Sequence, residues 1–236
     1  MVDTQPEENY SLSISDLMAG LLSIFILTLV YYMLNFSQAT AQLTQSDAIR
    51  ADMLESLERE LKNRGIEVRV DAQHGVLRLP EGILFDLGKA DLRESGLKVI
   101  RVLGPVLYEV LNRKEYKQQV ETVFIEGHTD NLPVHSGRFP SNWELSAQRA
   151  INTWNSLLGT EPRLASLRNS RGEPLFSCSG YADTRPIRPN DTPEGRQENR
   201  RIDLRFSLAP PRRGQGSEKA LGQVLMRGYT QGQVKD

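Results

Sequence analysis

The first pattern along the chain is a long apolar run near its N-terminus. Residues 17–36, LMAGLLSIFILTLVYYMLNF, contain no charged side chain, and about 20 such residues are enough to cross a bilayer as a helix. The preceding residues, MVDTQPEENYS, contain no Lys or Arg, whereas a cleavable signal peptide begins with a positively charged segment. We therefore predict a short tail at 1–11 and a retained transmembrane helix at 12–36.

A second helical pattern follows the apolar run. Leu54, Leu57 and Leu61 recur three or four residues apart, and Gly65 then supplies a helix stop. This spacing predicts an amphipathic helix. We interpret residues 37–65 as a helical linker, and a plug role for part of it is a hypothesis that the pattern permits.

From residue 66 the pattern changes to strands that alternate with helices. IEVRVDAQHGVLRLPEGILF predicts two strands joined by a turn at His74-Gly75. The later predicted elements are a helix in RESGLKVIRVLGPVLYEVLN with an interruption at Gly104-Pro105, a strand in VETVFIEGH, a helix in NWELSAQRAINTWNSLLG, a strand in PLFSCSGY, a helical or turn segment in PEGRQENRR, and a strand in IDLRFSL. This order predicts an α+β domain over 66–208, a mixed sheet with helices packed on it. Residues 209–236, rich in Pro, Gly and charge, predict a flexible tail.

Composition narrows the classes of partner. Lys and Arg total 29 and Asp and Glu total 30, and this balance argues against nucleic acid as the main partner. The single cysteine, Cys178, excludes an intramolecular disulfide and a Cys-based zinc cluster within one chain. Because Cys178 lies in a predicted strand, we interpret it as a small buried hydrophobe.

The candidate chemistry is concentrated in residues 125–150, IEGHTDNLPVHSGRFPSNWELSAQRA. A predicted strand ends just before Asp130, and Arg149 lies on the third turn of the following helix. If these elements converge, the Asp130 carboxylate can bind an ammonium group of a ligand. The Arg149 guanidinium can bind a carboxylate of the same ligand through two parallel hydrogen bonds. The pair therefore suits a zwitterionic ligand. A structural ion pair between Asp130 and Arg149 is the alternative.

Two catalytic alternatives are weaker. A metal site would use His128, Asp130 and His135, but the block offers only these two histidines and indicates no further ligand. The serines of the block are Ser136, Ser141 and Ser146. None of them lies in a strained G-x-S-x-G turn of the kind that activates a serine nucleophile. We expect a binding protein that is not an enzyme and that uses neither a metal nor another cofactor.

Four motifs carry a family resemblance. EGHTDNLP, SNWELSAQRA, GYADTRPI and ENRRIDLRF occur in this order, and residues 79–208 resemble the OmpA-like peptidoglycan-binding domain. The resemblance implies that Asp130 and Arg149 hold the two ends of diaminopimelate in the stem peptide of peptidoglycan. It also implies a mixed α+β fold.

The resemblance assigns further residues to the same pocket. By position in the motifs, Thr129 and Asn142 line it, and one arginine of the ENRR motif, Arg200 or Arg201, lies near the ligand.

The membrane segment resembles that of the MotB class of stator subunits. SISDLMAGLL places Asp16 where that class carries an aspartate at the cytoplasmic end of its helix. This implies an inner-membrane protein with a cytoplasmic N-terminus and a periplasmic domain. It also implies a homodimer with a polytopic MotA-like or ZorA-like partner. Independently, small residues at 19, 20 and 23 lie within about 60° of Asp16 on one helix face, where another helix can approach closely.

Three functions fit this layout. We prefer a subunit similar to ZorB of Zorya anti-phage systems, in which Asp16 carries a proton for an ion-driven motor. The alternatives are a flagellar MotB-type stator subunit and a peptidoglycan tether without motor function. The short acidic tail and the compact linker favour the Zorya type over the flagellar type.

Overall fold

The computed structural model of the chain describes residues 6–134 and 138–209. The predicted C-terminal tail, residues 209–236, therefore lies outside the described residues, except for Ala209. The elements are α1 Pro6–Asn63, β1 Arg69–Asp71, β2 Val76–Pro80, α2 Glu81–Leu84, α3 Glu94–Leu111, β3 Val120–His128, α4 Asn142–Thr160, a 3₁₀ helix Pro162–Ser166, β4 Phe176–Gly180, α5 Pro193–Asn199 and β5 Arg201–Leu208. The chain divides into two compact units whose boundary lies within α1, between Gln45 and Ser46.

The N-terminal unit contains the apolar part of α1. Among the described residues, one stretch, the 24 residues Ile14–Ser37, is long and apolar enough to cross a membrane, by length and composition. Its apolar side chains are exposed in the isolated chain. The predicted single N-terminal apolar helix is confirmed.

The second unit contains a five-stranded sheet in the order β1-β2-β5-β3-β4. The neighbouring pairs are antiparallel except β3 and β4, which are parallel. A parallel pair needs a crossover connection, and α4 provides it. The predicted mixed sheet with packed helices is confirmed.

Two glycines allow α4 to lie directly on the sheet. A Cβ atom at Gly127 would lie 2.0 Å from the Ser146 carbonyl oxygen, and one at Gly180 would lie 2.5 Å from the Ala147 nitrogen. No side chain fits into either gap. The N-terminal part of α4 is therefore fixed against the ends of β3 and β4, where the candidate residues lie.

The C-terminal part of α1 belongs to the hydrophobic core of the second unit. Met53, Leu54, Leu57 and Leu61 are fully buried within the main apolar cluster. The compact unit consequently begins at Ser46, some way before the predicted boundary at residue 66. The amphipathic pattern was a correct sign of a helix, but periodicity alone does not show what the apolar face packs against.

Two local elements differ from the sequence prediction. Helix α3 continues through Gly104-Pro105, where we expected an interruption. Gly104 faces the end of α4, and a Cβ there would lie 2.9 Å from Thr160 Oγ1, so packing against α4 accounts for this glycine. The segment after β2 forms the short helix α2 instead of continuing the strand.

Candidate functional site

Asp130 lies just beyond the end of β3 and is buried. Its Oδ1 accepts a hydrogen bond from the Leu132 backbone N–H at 3.0 Å. Its Oδ2 accepts one from Arg200 Nη1 at 2.5 Å. Asp130 thus holds the start of its own loop and also pairs with a guanidinium from the residue that precedes β5.

Thr129 and Asn142 hold the backbone around Asp130. The Thr129 hydroxyl donates to the Asp130 carbonyl at 2.9 Å. The Asn142 amide donates to the same carbonyl at 3.2 Å and to the Leu132 carbonyl at 3.0 Å, and its oxygen accepts from the Val134 N–H at 3.1 Å. Both predicted pocket residues therefore act on the shape of the loop that carries Asp130.

Arg149 is fully buried in α4, with 2% of its surface exposed. Its Nε donates to the Lys89 carbonyl at 2.8 Å, its guanidinium pairs with Glu81, and it lies 5.2 Å from the centre of the Phe85 ring. Burial lowers the pKa of Arg149, and Glu81 partly offsets this. A buried cation needs such a partner, because an unpaired one carries a large desolvation cost.

The four charged groups form a chain rather than a single pair. Arg200 donates to Asp130 and, through Nε, to Glu81 Oε2 at 2.5 Å, while Glu81 also pairs with Arg149. Burial would lower the pKa of Arg200, but Asp130 and Glu81 raise it. The structure thus connects Asp130 and Arg149 through two intermediate residues, and the direct pair between them is replaced by Asp130–Arg200 and Glu81–Arg149.

Sequence reasoning missed Glu81. Its position depends on the pairing of β2 with β5, in which Pro80 lies opposite Arg201 and the Glu81 N–H donates to the Arg200 carbonyl at 3.0 Å. This register brings together residues 119 positions apart in sequence. Nothing in the local segment LPEGIL marks the glutamate as part of a site.

The structure places Arg200 at the site and Arg201 elsewhere. Arg201 donates to Asp203 Oδ2 at 2.9 Å and to the carbonyls of Asn199 and Arg185 at 3.1 and 3.2 Å. Successive side chains of a strand point to opposite faces. The sequence motif alone could not distinguish the two arginines, whereas the register does.

A second buried cluster lies on the face of the sheet to which Arg201 points. His128 Nε2 is 3.5 Å from Asp203 Oδ2 and 3.8 Å from Glu126 Oε2, and all three side chains are buried. Burial lowers the pKa of His128. Burial would raise the pKa of Glu126, but His128 and Arg205 lower it to about 2.

These three residues are of metal-ligand types, but their surroundings do not fit a cation. Arg205 donates to Glu126 at 2.8–3.0 Å and Arg201 donates to Asp203. The carboxylates are already neutralised by guanidinium groups, which would repel a metal ion. Of the metal set considered from sequence, His135 lies outside the described residues.

The serines of the block that the structure describes make structural hydrogen bonds. Ser141 caps the N-terminus of α4 by accepting from the Trp143 N–H at 3.2 Å. Ser146 Oγ donates to the Trp143 carbonyl and accepts from the Ala182 N–H, both at 3.0 Å. Ser136 lies outside the described residues. The Ser141 hydroxyl thus caps a helix, and the Ser146 hydroxyl links α4 to the segment after β4.

In the N-terminal unit, Asp16 lies in helix α1, and Ala19, Gly20 and Ser23 follow it three to seven residues later. The Ser23 hydroxyl donates to the Ala19 carbonyl at 2.8 Å, so it is satisfied within its own helix. The helical state of this stretch places these small residues on the face of Asp16.

Comparison with known proteins gives the following similarities. Residues 84–200 match the model of the OmpA family. Motility protein B of Bacillus subtilis (strain 168) is 32% identical over 139 residues, 59% of this chain and 47% of that protein. Zorya protein ZorB of Escherichia coli O139:H28 is 24% identical over 212 residues, 86% of this chain and 82% of that protein. The chain spans about half the length of the motility proteins it matches.

A solved structure shares the fold. The crystal structure of a putative MotB like protein from Desulfovibrio vulgaris superposes with a TM-score of 0.54 at 23% identity, over 73% of this chain and 98% of that one.

Proposed function

We propose that this chain binds the diaminopimelate-containing stem peptide of peptidoglycan at the site of Asp130, Arg149 and Arg200. The match of residues 84–200 to the OmpA family model supports this proposal. The observation that carries the proposal is the linked set of two carboxylates and two guanidiniums. Such a set complements a ligand that bears both an ammonium and a carboxylate. Thr129 and Asn142 support it by fixing the loop of Asp130.

Purified sacculi test this proposal directly. The full chain in mild detergent is incubated with sacculi, and the sedimented fraction is measured. We expect wild-type protein to sediment and Asp130→Ala to lose about tenfold or more in affinity, since it removes a charged hydrogen-bonding group. The exposed Asp183 provides the control, because Asp183→Ala removes the same charge from the surface. Equal sedimentation of the two variants would refute the site.

The same incubation tests whether the domain is a binder or an enzyme. We propose binding without bond cleavage, because the described serines of the loop make structural bonds and the site offers charge-pairing groups. The supernatant should contain no muropeptide fragments. Released fragments would show hydrolytic activity instead.

For the whole chain we propose a stator-type subunit of an ion-driven motor in the bacterial inner membrane. The stretch Ile14–Ser37 provides the membrane span, the N-terminus is cytoplasmic, and the domain is periplasmic. Two copies pair within a polytopic MotA-like or ZorA-like partner, and Asp16 carries the proton. A carboxylate at membrane depth carries a desolvation cost, and an ionisable residue in a membrane helix is therefore by default a candidate functional residue.

Asp16→Asn tests the ion-carrying role. The variant keeps the size of the side chain and removes its charge and its ability to bind and release a proton. We expect assembly with the membrane partner to persist and proton flux through the complex to fall to background. Proton flux equal to wild type in this variant would refute the ion-carrying role of Asp16.

Among stator-type subunits we propose the ZorB-like role. The 212-residue similarity to ZorB covers 86% of the chain and extends well beyond residues 84–200. The flagellar alternative is supported by the higher identity, 32%, to Motility protein B over 59% of the chain. Purification from native membranes distinguishes the two, because a polytopic partner with a long cytoplasmic extension indicates the defence motor and a compact one indicates the flagellum.

A further inference from the structure

The carboxylate of Glu81 occupies the place between the two arginines of the site. It pairs with Arg149 through Oε1 and accepts from Arg200 Nε through Oε2 at 2.5 Å. Glu81 is buried. Each arginine that is suited to a ligand carboxylate is thus already in contact with a carboxylate that belongs to the protein.

We propose that Glu81 is an internal competitor for the carboxylate of the bound ligand and thereby sets the affinity of the site. The inference rests on the proposed binding of a stem peptide. A ligand carboxylate and the Glu81 carboxylate are chemically equivalent partners for a guanidinium. The ligand therefore reaches Arg149 by displacing Glu81, and the free energy of binding is reduced by the cost of breaking the internal pairs.

Accessibility gives the order of contacts. The Arg200 side chain is 21% exposed, whereas that of Arg149 is 2% exposed. An incoming carboxylate therefore meets Arg200 first. Arg149 becomes available only when the Glu81 side chain moves, because Arg149 is otherwise enclosed by the Phe85 ring and the Lys89 carbonyl.

The local backbone allows this movement. Glu81 is the first residue of α2, a helix of four residues, and Gly82 follows it. The space beside Gly82 is open, since a Cβ atom there would meet no atom within 4 Å. The backbone N–H of Glu81 stays bonded to the Arg200 carbonyl, so rotation of the side chain alone separates its carboxylate from the arginines.

Glu81→Gln in the full chain tests the inference, because it removes the charge and keeps the shape. Binding is measured with purified sacculi and by competition with free meso-diaminopimelate. We expect Glu81→Gln to bind sacculi at least about threefold more tightly than wild type and free diaminopimelate to compete at lower concentration. A merely structural role for Glu81 predicts weaker binding, because Arg149 and Arg200 would lose their anchor.

Two further variants serve as controls, one for the loss of a buried carboxylate and one for a failure of Glu81→Gln to fold. Glu161→Gln removes another buried carboxylate, one that pairs with Arg163 at 2.6 Å, and should leave sacculus binding unchanged. Glu81→Asp keeps the charge but shortens the side chain, so its hold on both arginines is weaker and its affinity should lie between those of wild type and Glu81→Gln. This variant provides the test if Glu81→Gln does not fold.

The outcomes separate this inference from the proposed function. Tighter binding by Glu81→Gln with unchanged Glu161→Gln supports both. Wild-type binding that is equal to or stronger than that of Glu81→Gln and Glu81→Asp overturns the competitor role and leaves the peptidoglycan site intact. Absence of binding by wild type and all Glu81 variants overturns both.

Discussion

Arg200 donates to Asp130 at 2.5 Å, and this contact makes Arg200, not Arg149, the direct partner of the predicted ligand-binding carboxylate. The bond connects the loop after β3 to the residue before β5, 70 positions later in sequence. It also leaves Arg149 to the neighbouring glutamate. The site is therefore built from three segments, β2–α2, the β3–α4 loop with α4, and the α5–β5 junction.

The two arginines of the ENRR motif should behave differently when replaced. Arg200→Ala removes the partner of Asp130, and we expect about tenfold weaker binding to sacculi. Arg201→Ala instead leaves the buried Asp203 without its closest cation, and we expect a loss of about 3–5 kcal/mol in the free energy of unfolding. Urea denaturation followed by Trp fluorescence measures the second effect.

Each arginine serves as the control for the other. The folded fraction of Arg201→Ala should bind sacculi as wild type does. If Arg201→Ala weakened binding more than Arg200→Ala at equal folded fraction, the assignment of Arg200 to the site would be wrong.

The C-terminal part of α1 should contribute to the stability of the second unit. Leu57 is fully buried in the core, and Leu57→Ala should cost about 2–5 kcal/mol, because it removes apolar contacts and leaves a cavity. Leu87, 78% exposed, is the matched control, and Leu87→Ala should change stability by less than about 0.5 kcal/mol. Equal midpoints of urea unfolding for the two variants would show that α1 is not part of this core.

This packing also limits the plug hypothesis. Met53, Leu54 and Leu57 are core residues of the second unit, so a deletion that includes them would disturb the domain as well as any plug. A test of ion leakage should therefore delete residues before Ser46 only.

Gly127 should not tolerate a side chain. In Gly127→Ala the new Cβ would lie 2.0 Å from the Ser146 carbonyl oxygen, which forces α4 away from β3, and we expect a loss of at least about 2 kcal/mol. Gly159 lies within α4, and a Cβ atom there would meet no atom within 4 Å beyond its chain neighbours and the nearby backbone of its own helix. Gly159→Ala should leave stability unchanged or raise it by up to about 1 kcal/mol. Thermal unfolding of both variants checks the contrast.

His128 should make the domain less stable as the pH falls below neutrality. Because burial lowers its pKa below 6.5 in the folded protein, the unfolded chain takes up this proton first, and stability falls as the pH decreases through 6.5. One proton contributes at most about 1.4 kcal/mol per pH unit. Glu126 contributes in a separate pH range. Because its pKa is lowered from 4.5 to about 2 in the folded protein, its stabilising effect is lost as the pH falls from 4.5 to about 2.

Urea unfolding at pH 7.5, 6.5 and 5.5 isolates the histidine effect. His128→Gln should flatten this decline in stability, because it removes the buried imidazole. A decline that persists unchanged in His128→Gln would assign the pH dependence to other groups.

Periodicity predicted most of this fold because most elements have one apolar face. The strand at 120–128 and the helix that begins at Asn142 agree with the structure. The differences lie where a tertiary contact decides the outcome. Gly104 resembles an interruption in sequence but provides room for the end of α4.

The candidate site also contains residues that the sequence predicted and residues whose position depends on a tertiary contact. Asp130, Thr129, Asn142 and Arg149 lie in one continuous motif, so their proximity follows from a single strand and helix. Glu81 was not predictable, since only the register of β2 against β5 brings it to Arg200. The difference between Arg200 and Arg201 has the same origin.

The position of β5 has a consequence for the timing of folding. Among the described strands this one is last in sequence, yet it lies at the centre of the sheet and joins the β1–β2 hairpin to the β3–β4 pair. Until residues 201–208 have left the ribosome, these two pairs have no strand to connect them, and long-range pairing of this kind forms late. The sheet of the second unit therefore cannot be completed until β5 has been synthesised.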